Sequence, residues 1–346
     1  MRVTFFFVLW EEPLVCVISS GGSLASGVEL ALDYAAGRPC HILARPSWDL
    51  PIIGDALAST DRWLRQVHPS VKLVSMAPTA AYTDYVSSLG MAAIHAHNGA
   101  FISERIFCPE PDTPKAFDAV HNAQTQPFKR HELAYGVPNL ALITYVGQFA
   151  AESVADIVAN YRDLKFANYS AREGYRSLDG NQIRHIVNQA RCGLVLSELE
   201  GPNNASMEYF LCGVPLVSTP SRGGREAMYD PRHVAIVEPT PKAVETAVAR
   251  FWASAPDPEE IRAAALAKAR PHRSRLIAWL SEIVGEDLLG QADENLWLPQ
   301  FRDKLRQIWR LDERPDGRLD AREIKAWADW RSSSAASHNG NTAPSI

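Results

Sequence analysis

Cysteine is scarce in this chain and badly placed for any framework. Cys16, Cys40, Cys108, Cys192 and Cys212 are scattered, odd in number and never spaced as C-x-x-C. A disulfide scaffold and a structural zinc site are therefore not expected, and the pattern suits a reducing cytoplasm. Charge of one sign is also lacking. The formal net charge is −5, from 35 basic and 40 acidic residues, which removes the electrostatic case for a nucleic-acid partner. Long apolar runs are missing as well. The N-terminal run, Val3 to Trp10, ends in Glu11-Glu12. It is too short to cross a bilayer and has no small-residue cleavage pattern after it, so a buried strand or a structured leader is expected. No internal repeat is present.

The remainder reads as an ordinary globular protein. With 346 residues, 46% of them hydrophobic, the chain can bury one large core or two modest ones. Short apolar runs alternate with helical patterns. Up to residue 113 the expected order is strand His41–Ala44, a helix near Asp61–Val67, strand Val71–Ser75, a helix near Ala80–Ser88 and strand Ala92–His95. The stretch Pro109–Lys115 reads as a turn-rich linker. A second alternating set follows: strand Phe117–Val120, helix Lys129–Ala134, strand Leu140–Val146, helices Ala151–Tyr161 and Asn181–Cys192, then strand His233–Val237. Helices Ala243–Ala253 and Glu259–Ile283 complete it. This order predicts α/β architecture in two doubly wound domains, residues 1–113 and 114–285, with a helical tail over 286–346 that ends in a disordered segment.

The most informative segment runs from Gly193 to Glu226. Gly193–Leu196 is a short apolar strand. Gly201-Pro202-Asn203-Asn204 breaks the chain and offers helix caps. Ala205–Cys212 suits a helix that Gly213 stops, and Val214–Val217 is a second strand. Strand-helix-strand units of this kind build parallel sheets that bind ligands at the carboxyl ends of their strands. Glu200 and Glu208 flank the helix start, where the N–H groups of Asn203, Asn204 and Ala205 suit phosphate oxygens. A carboxylate at Glu208 accepts well from ribose hydroxyls. Gly223-Gly224 lets a second backbone approach closely. Taken alone, two glutamates at this spacing also occur by chance.

The order of these features resembles the donor site of retaining glycosyltransferases of the GT-B fold, family 4 (glycosyltransferases group 1). Their strand, Glu, seven residues, Glu, G-x-P-V-V strand and G-G loop appear here as Leu194–Ser197, Glu200, Glu208, Gly213–Val217 and Gly223-Gly224. Three further stretches extend the resemblance. Leu14–Leu43 is similar to the family's first strand, glycine turn and helix, with Gly21-Gly22 as the turn. Ala92–Asn98 resembles the strand ending in H-x-H. There His97 would lie beside the donor sugar, although His95 and His97 also fit an ordinary strand. Phe117–Ala134 resembles the first strand of the nucleotide domain and the Arg and Lys that follow it. Lys129 fits the lysine, but Gln124 stands at the arginine position, and Arg130 compensates only if it turns toward the site.

The resemblance implies two Rossmann-like domains with a cleft between them, and metal-independent transfer from a nucleotide-diphosphate sugar, with no cofactor. Glu200 would orient the sugar, acting on rate rather than on nucleotide affinity, and Glu208 would hold the ribose. Lys129, the helix start and the Gly223-Gly224 loop would stabilise the diphosphate. The acceptor would be a glycan, a lipid or a small molecule. Two other readings stay open: a non-catalytic GT-B protein that binds nucleotide sugar, and a GT-B sugar-nucleotide epimerase.

The tail carries two more signals. Phe301, Leu305, Ile308 and Trp309 fall on one helical face of Leu298–Trp309, expected to pack on the body; peripheral membrane contact by its basic side is the alternative. Asp312–Glu323 has EF-hand spacing, but Arg314 stands at a ligand position and the loop is single. A capped turn is the expectation there.

Overall fold

The structure is a computed structural model that describes residues 3–19, 24–46, 48–145, 154–254, 256–305 and 308–310. The Gly21-Gly22 turn and the Asp312–Glu323 loop lie outside these residues. The described residues fall into two compact units: those within 1–96, 275–293 and 297–310 form one, and those within 97–274 and 294–296 the other. Residues 97–113 thus cluster with the second unit.

The first unit contains β1 (Val3–Trp10), β2 (Leu14–Ser19), α1 (Leu24–Ala35), β3 (Cys40–Arg45), α2 (Pro51–Val67), β4 (Val71–Ala77), α3 (Ala80–Ser88) and β5 (Ala92–His95). Strands β2 to β5 pair in parallel, and β1 pairs antiparallel to β2. The parallel strands are apolar on both faces because helices cover both faces of such a sheet. Cys16, Ile18, Ile42 and Leu73 are buried with Leu30, Leu57 and Leu64 of the helices. Helix α2 starts ten residues before the expected Asp61, because Pro51 occupies its first turn, where a missing N–H costs nothing. Thr79 caps α3 by accepting from the Tyr82 N–H at 3.2 Å.

The second unit contains β6 (Phe117–Gln124), β7 (Leu140–Tyr145), α4 (Val154–Asn160), β8 (Leu164–Ala167), the short pair β9 (Tyr169–Ser170) and β10 (Gly174–Tyr175), α5 (Gly180–Asn188) and β11 (Ala190–Val195). It continues with α6 (Asn204–Leu211), β12 (Leu216–Ser218), β13 (Val234–Ile236) and α7 (Pro241–Ala253). Its main sheet is parallel throughout, in the order β13-β12-β11-β6-β7-β8. Ala119, Leu142, Leu194, Val217 and Val248 lie in its core.

Helix α8 (Pro258–Val284) follows, and residues 258–274 of it belong to the second unit. There Arg273 forms a buried two-pronged ion pair with Glu104, at 2.7 and 2.8 Å, and donates to the Ala100 carbonyl at 2.7 Å. Arg262 donates to the carbonyls of Phe107 and Leu211, at 2.8 and 2.6 Å. These bonds tie residues 100–107 to the second unit. The stretch Pro109–Lys115 is also fixed rather than a free linker: Glu110 accepts from Arg184 at 2.7 Å and from Thr113 at 3.0 Å.

Three expected elements differ. Lys129–Ala134 is not one helix but two 3-10 turns, Pro127–Lys129 and His131–Ala134, separated by Arg130 in the left-handed region at φ 51°. The helix expected to run to Cys192 stops at Asn188, whose side chain donates to the carbonyls of Cys108 and Arg184. Ala190–Cys192 then pair with Phe117–Ala119 as the start of β11. Among the described residues of Leu298–Trp309 the expected helix is absent. Lys304 and Leu305 have positive φ, and Ile308–Arg310 form β14, antiparallel to Val3–Phe5 of β1. Pairing with a distant strand overrides the helical period of this segment. Among the described residues no helix is long and apolar enough to cross a membrane.

Candidate active site

In the second unit the chain adds strands on one side of β6, through β7 to β8, and then on the other, through β11 to β13. The order reverses between β6 and β11, and a crevice opens at the carboxyl ends of strands at such a point. The turn after β6 and the loop after β11 meet there. Lys129, from the first, forms an ion pair through Nζ with Oε1 of Glu200, from the second. Both side chains are mostly enclosed, 10% and 12% exposed. The other Glu200 oxygen, Oε2, accepts from the Ser197 hydroxyl. Burial alone would raise the Glu200 carboxyl. The charge and hydrogen bond of Lys129, the Ser197 hydroxyl and the charge of Arg225 outweigh it, and the group lies below the usual carboxylate range.

Arg225 is the unexpected member. It is fully buried, and its guanidinium donates to the Ser197 carbonyl at 2.8 Å, to Ser218 Oγ at 3.0 Å and to the Thr219 carbonyl. Nη1 lies 4.0 Å from Glu200 Oε2. Arg130 has a different task. Its guanidinium donates to the Leu196 carbonyl at 2.6 Å and to Thr219 Oγ1 at 2.7 Å, which fixes the turn that carries Lys129.

Helix α6 starts at this crevice. Asn203 is its cap and accepts from the Ser206 N–H at 2.7 Å, so its side chain serves the helix. The N–H groups of Asn204 and Ala205 fall in the first turn, which lacks intrahelical acceptors. Glu208 lies one turn on, 2% exposed, and accepts from Asn122 Nδ2 of β6 at 3.1 Å. The Asn122 N–H donates to the Tyr209 hydroxyl at 2.8 Å. Gly193 makes room for that ring, since a Cβ there would stand 2.1 Å from it.

The Gly223-Gly224 loop packs against the Glu200 backbone. Glu200 N–H donates to the Arg222 carbonyl at 2.8 Å, and the Arg222 N–H to the Glu198 carbonyl at 2.9 Å. A Cβ on Gly223 would meet the Glu200 carbonyl oxygen at 2.5 Å. The close approach at Gly223 is therefore made to protein backbone. Gly224, at φ 90°, opens the turn Arg225–Met228.

His97 lies beyond the end of β5, where it caps the 3-10 turn Asn98–Phe101. Its Nδ1 accepts from the Gly99 N–H at 3.0 Å, which requires that nitrogen to be unprotonated. A Cβ on Gly99 would meet Met207 Cγ of α6 at 2.7 Å, so this turn packs on the same helix as Glu208. Gln124 ends β6, and its carbonyl accepts from His131 Nε2 at 2.8 Å. His131 Nδ1 must then accept from the Tyr161 hydroxyl at 2.8 Å, and that oxygen accepts from His121 Nδ1–H at 3.1 Å. Burial holds both rings neutral, His131 lowered to about 4 and His121 well below its usual value.

The structure thus joins Lys129 to Glu200 and sets Glu208 on the helix that begins beside them. Sequence reasoning missed Arg225, Ser197 and Asn122. Asn122 had a signal, two residues before Gln124 and so on the same strand face. Arg225 had only its place after the glycine pair. Among the described residues no three His, Cys, Asp or Glu side chains converge as a metal-ligand set.

No protein-family model matches the chain, and no curated protein matches its sequence. Solved structures do match. Anabaena HepE in complex with UDP and glucose is 14% identical, covering 77% of this chain and 78% of its own, with a TM-score of 0.53. HepE in complex with UDP gives 13%, the same coverage and 0.51. A mutant of S. aureus TarM in complex with fondaparinux, α-GlcNAc-glycerol and UDP is 13% identical, covering 71% of this chain and 51% of its own, at 0.51. The fold is that of the GT-B glycosyltransferase-like proteins, built of two Rossmann-like domains.

Proposed function

We propose that the chain is a retaining glycosyltransferase, similar to family 4, that transfers a sugar from a nucleotide-diphosphate donor without a metal ion. The observation that supports it best is the placement of Lys129, Glu200 and the start of α6 at the reversal point of a parallel sheet. A cation and first-turn N–H groups aimed at one crevice suit a diphosphate leaving group, whose charge grows as the sugar departs. Glu208 accepts from the ribose hydroxyls, and Glu200 from hydroxyls of the transferred sugar. His97 flanks the sugar from the turn beside α6. HepE was solved with UDP and with UDP and glucose, so UDP-sugars are the first donors to test. The acceptor is a glycan, a lipid or a small molecule, and the protein is proposed to work in the cytoplasm.

A non-catalytic donor-binding protein is the second reading. It is favoured by Gln124, which brings no charge, and by Arg130, whose guanidinium is bound to Leu196 and Thr219. Thermal shift against UDP-, GDP-, ADP- and CMP-sugars in metal-free buffer tests both, since a ligand at 100 times its Kd adds about 2.7 kcal/mol of stability. Turnover of the stabilising sugar then separates enzyme from binder. An absolute requirement for Mg²⁺ or Mn²⁺ would sink the proposed mechanism.

A further inference from the structure

The Lys129–Glu200 pair creates a difficulty for that reading, on which this inference rests. A lysine already neutralised by a carboxylate is a poor partner for a diphosphate. A mostly buried carboxylate that lost its lysine would be left uncompensated, at considerable cost. Arg225 resolves the difficulty. Its three acceptors, on Ser197, Ser218 and Thr219, hold the guanidinium in place, and its Nη1 faces the Glu200 oxygen that Lys129 does not touch. Lys129 is the opposite case, an ammonium with three rotatable donors on a flexible stem, carried by a short 3-10 turn. Glu200 therefore has one fixed counter-ion and one movable one.

We propose that Glu200 exchanges counter-ions when the donor binds: Lys129 leaves it for the diphosphate, and Arg225 keeps the carboxylate ionised and aimed at the sugar. Arg225 is then a positioning residue. The Lys129–Glu200 pair is a latch that full donor opens with compensation, because its sugar takes up the freed carboxylate. Nucleoside diphosphate alone opens the same latch with nothing to offer Glu200. After transfer Lys129 returns to Glu200, which favours departure of the product.

Calorimetric titration of the full chain with UDP, GDP and ADP, without divalent metal, tests this. For whichever nucleotide binds, Glu200→Gln should bind about tenfold tighter than wild type, a gain of about 1.4 kcal/mol, because Lys129 is no longer held. Arg225→Gln should bind more weakly, because an unsupported Glu200 grips Lys129 harder. The double variant should return to the affinity of Glu200→Gln, whereas a merely structural Arg225 would lose the same factor in both backgrounds. Arg225→Lys, which keeps the charge, should restore part of the loss. If Lys129→Met weakens binding but Glu200→Gln does not tighten it, the exchange is wrong and the site reading stands. If wild type binds none of the three, or Lys129→Met binds as wild type does, the site reading falls and the exchange with it. Should Arg225→Gln fail to fold, the Glu200→Gln arm decides alone.

Discussion

Asn122 and Glu208 are joined across 86 residues of sequence by a 3.1 Å hydrogen bond from Nδ2 to Oε2. The bond holds the carboxylate of α6 against the central strand β6, which would set its orientation toward the proposed ribose. Glu208→Gln keeps an oxygen for Asn122, but loses the charge and turns the other acceptor oxygen into an N–H donor. A hydrogen bond to a charged group is worth roughly 1.5–3 kcal/mol. Nucleoside diphosphate and full donor should therefore both bind about tenfold to a hundredfold more weakly, with the melting temperature nearly unchanged. Unaltered affinity for both ligands would remove Glu208 from the site.

Lys129→Ala carries a different expectation. It deletes the cation proposed for the leaving group, so transfer should fall about tenfold to a hundredfold or more, by the same charged-bond magnitude. The fold should persist, because Glu200 retains Ser197 and Arg225. Steady-state rates with the stabilising donor, set beside a melting curve, check both halves. Full activity in this variant would refute the assignment of Lys129.

Much of the Gly193–Glu226 segment's structure was legible because it is local. The apolar runs, the Asn203 cap and Gly213 fall within one stretch, and each has its own chemical reason. What escaped was set by distant partners. Arg191 and Cys192 look like the end of a helix until β6 supplies a strand to pair with. Ile308–Arg310 keep a helical period, yet the edge of β1 claims them. Arg130 breaks a predicted helix because Leu196 and Thr219 offer it acceptors. A fully buried Arg225 needs acceptors from three residues, Ser197, Ser218 and Thr219, which no spacing rule anticipates. The Lys129–Glu200 pair also bears on one expectation: under the proposed counter-ion exchange, Glu200 would act on nucleotide affinity as well as on rate.

The buried chain His121–Tyr161–His131 makes a pH prediction. Burial lowers His131 to about 4 in the folded protein, against about 6.5 when unfolded. Between those values the unfolded chain binds the extra proton, so stability rises with pH. The contribution is complete above about pH 6.5 and is lost as pH falls toward 4, on the order of 3 kcal/mol for this residue. His121 acts in the same direction. Urea unfolding at pH 7 and pH 5 should show the loss, and His131→Asn should reduce the difference. Equal stability at both pH values in the wild type would contradict neutral buried rings.

Gly223 and Gly37 provide a matched test of what the glycine loop does. Both have positive φ, 114° and 82°, so alanine at either meets backbone strain, about 1–2 kcal/mol. They differ in surroundings. A Cβ at Gly37 has nothing within 4 Å, whereas one at Gly223 would stand 2.5 Å from the Glu200 carbonyl oxygen and 2.7 Å from its carbon. Gly37→Ala should therefore cost the strain alone and leave the site untouched. Gly223→Ala must in addition push the 198–200 segment away from Arg222, weakening the two backbone bonds between them. It should destabilise by about 1–3 kcal/mol more, since strained backbone and overpacking add. It should also lower transfer, because Glu200 moves with its backbone. Chemical denaturation of both variants, with transfer rates measured on the folded fraction, gives the comparison. Equal costs and an unchanged rate for Gly223→Ala would show that the loop does not hold Glu200 in place.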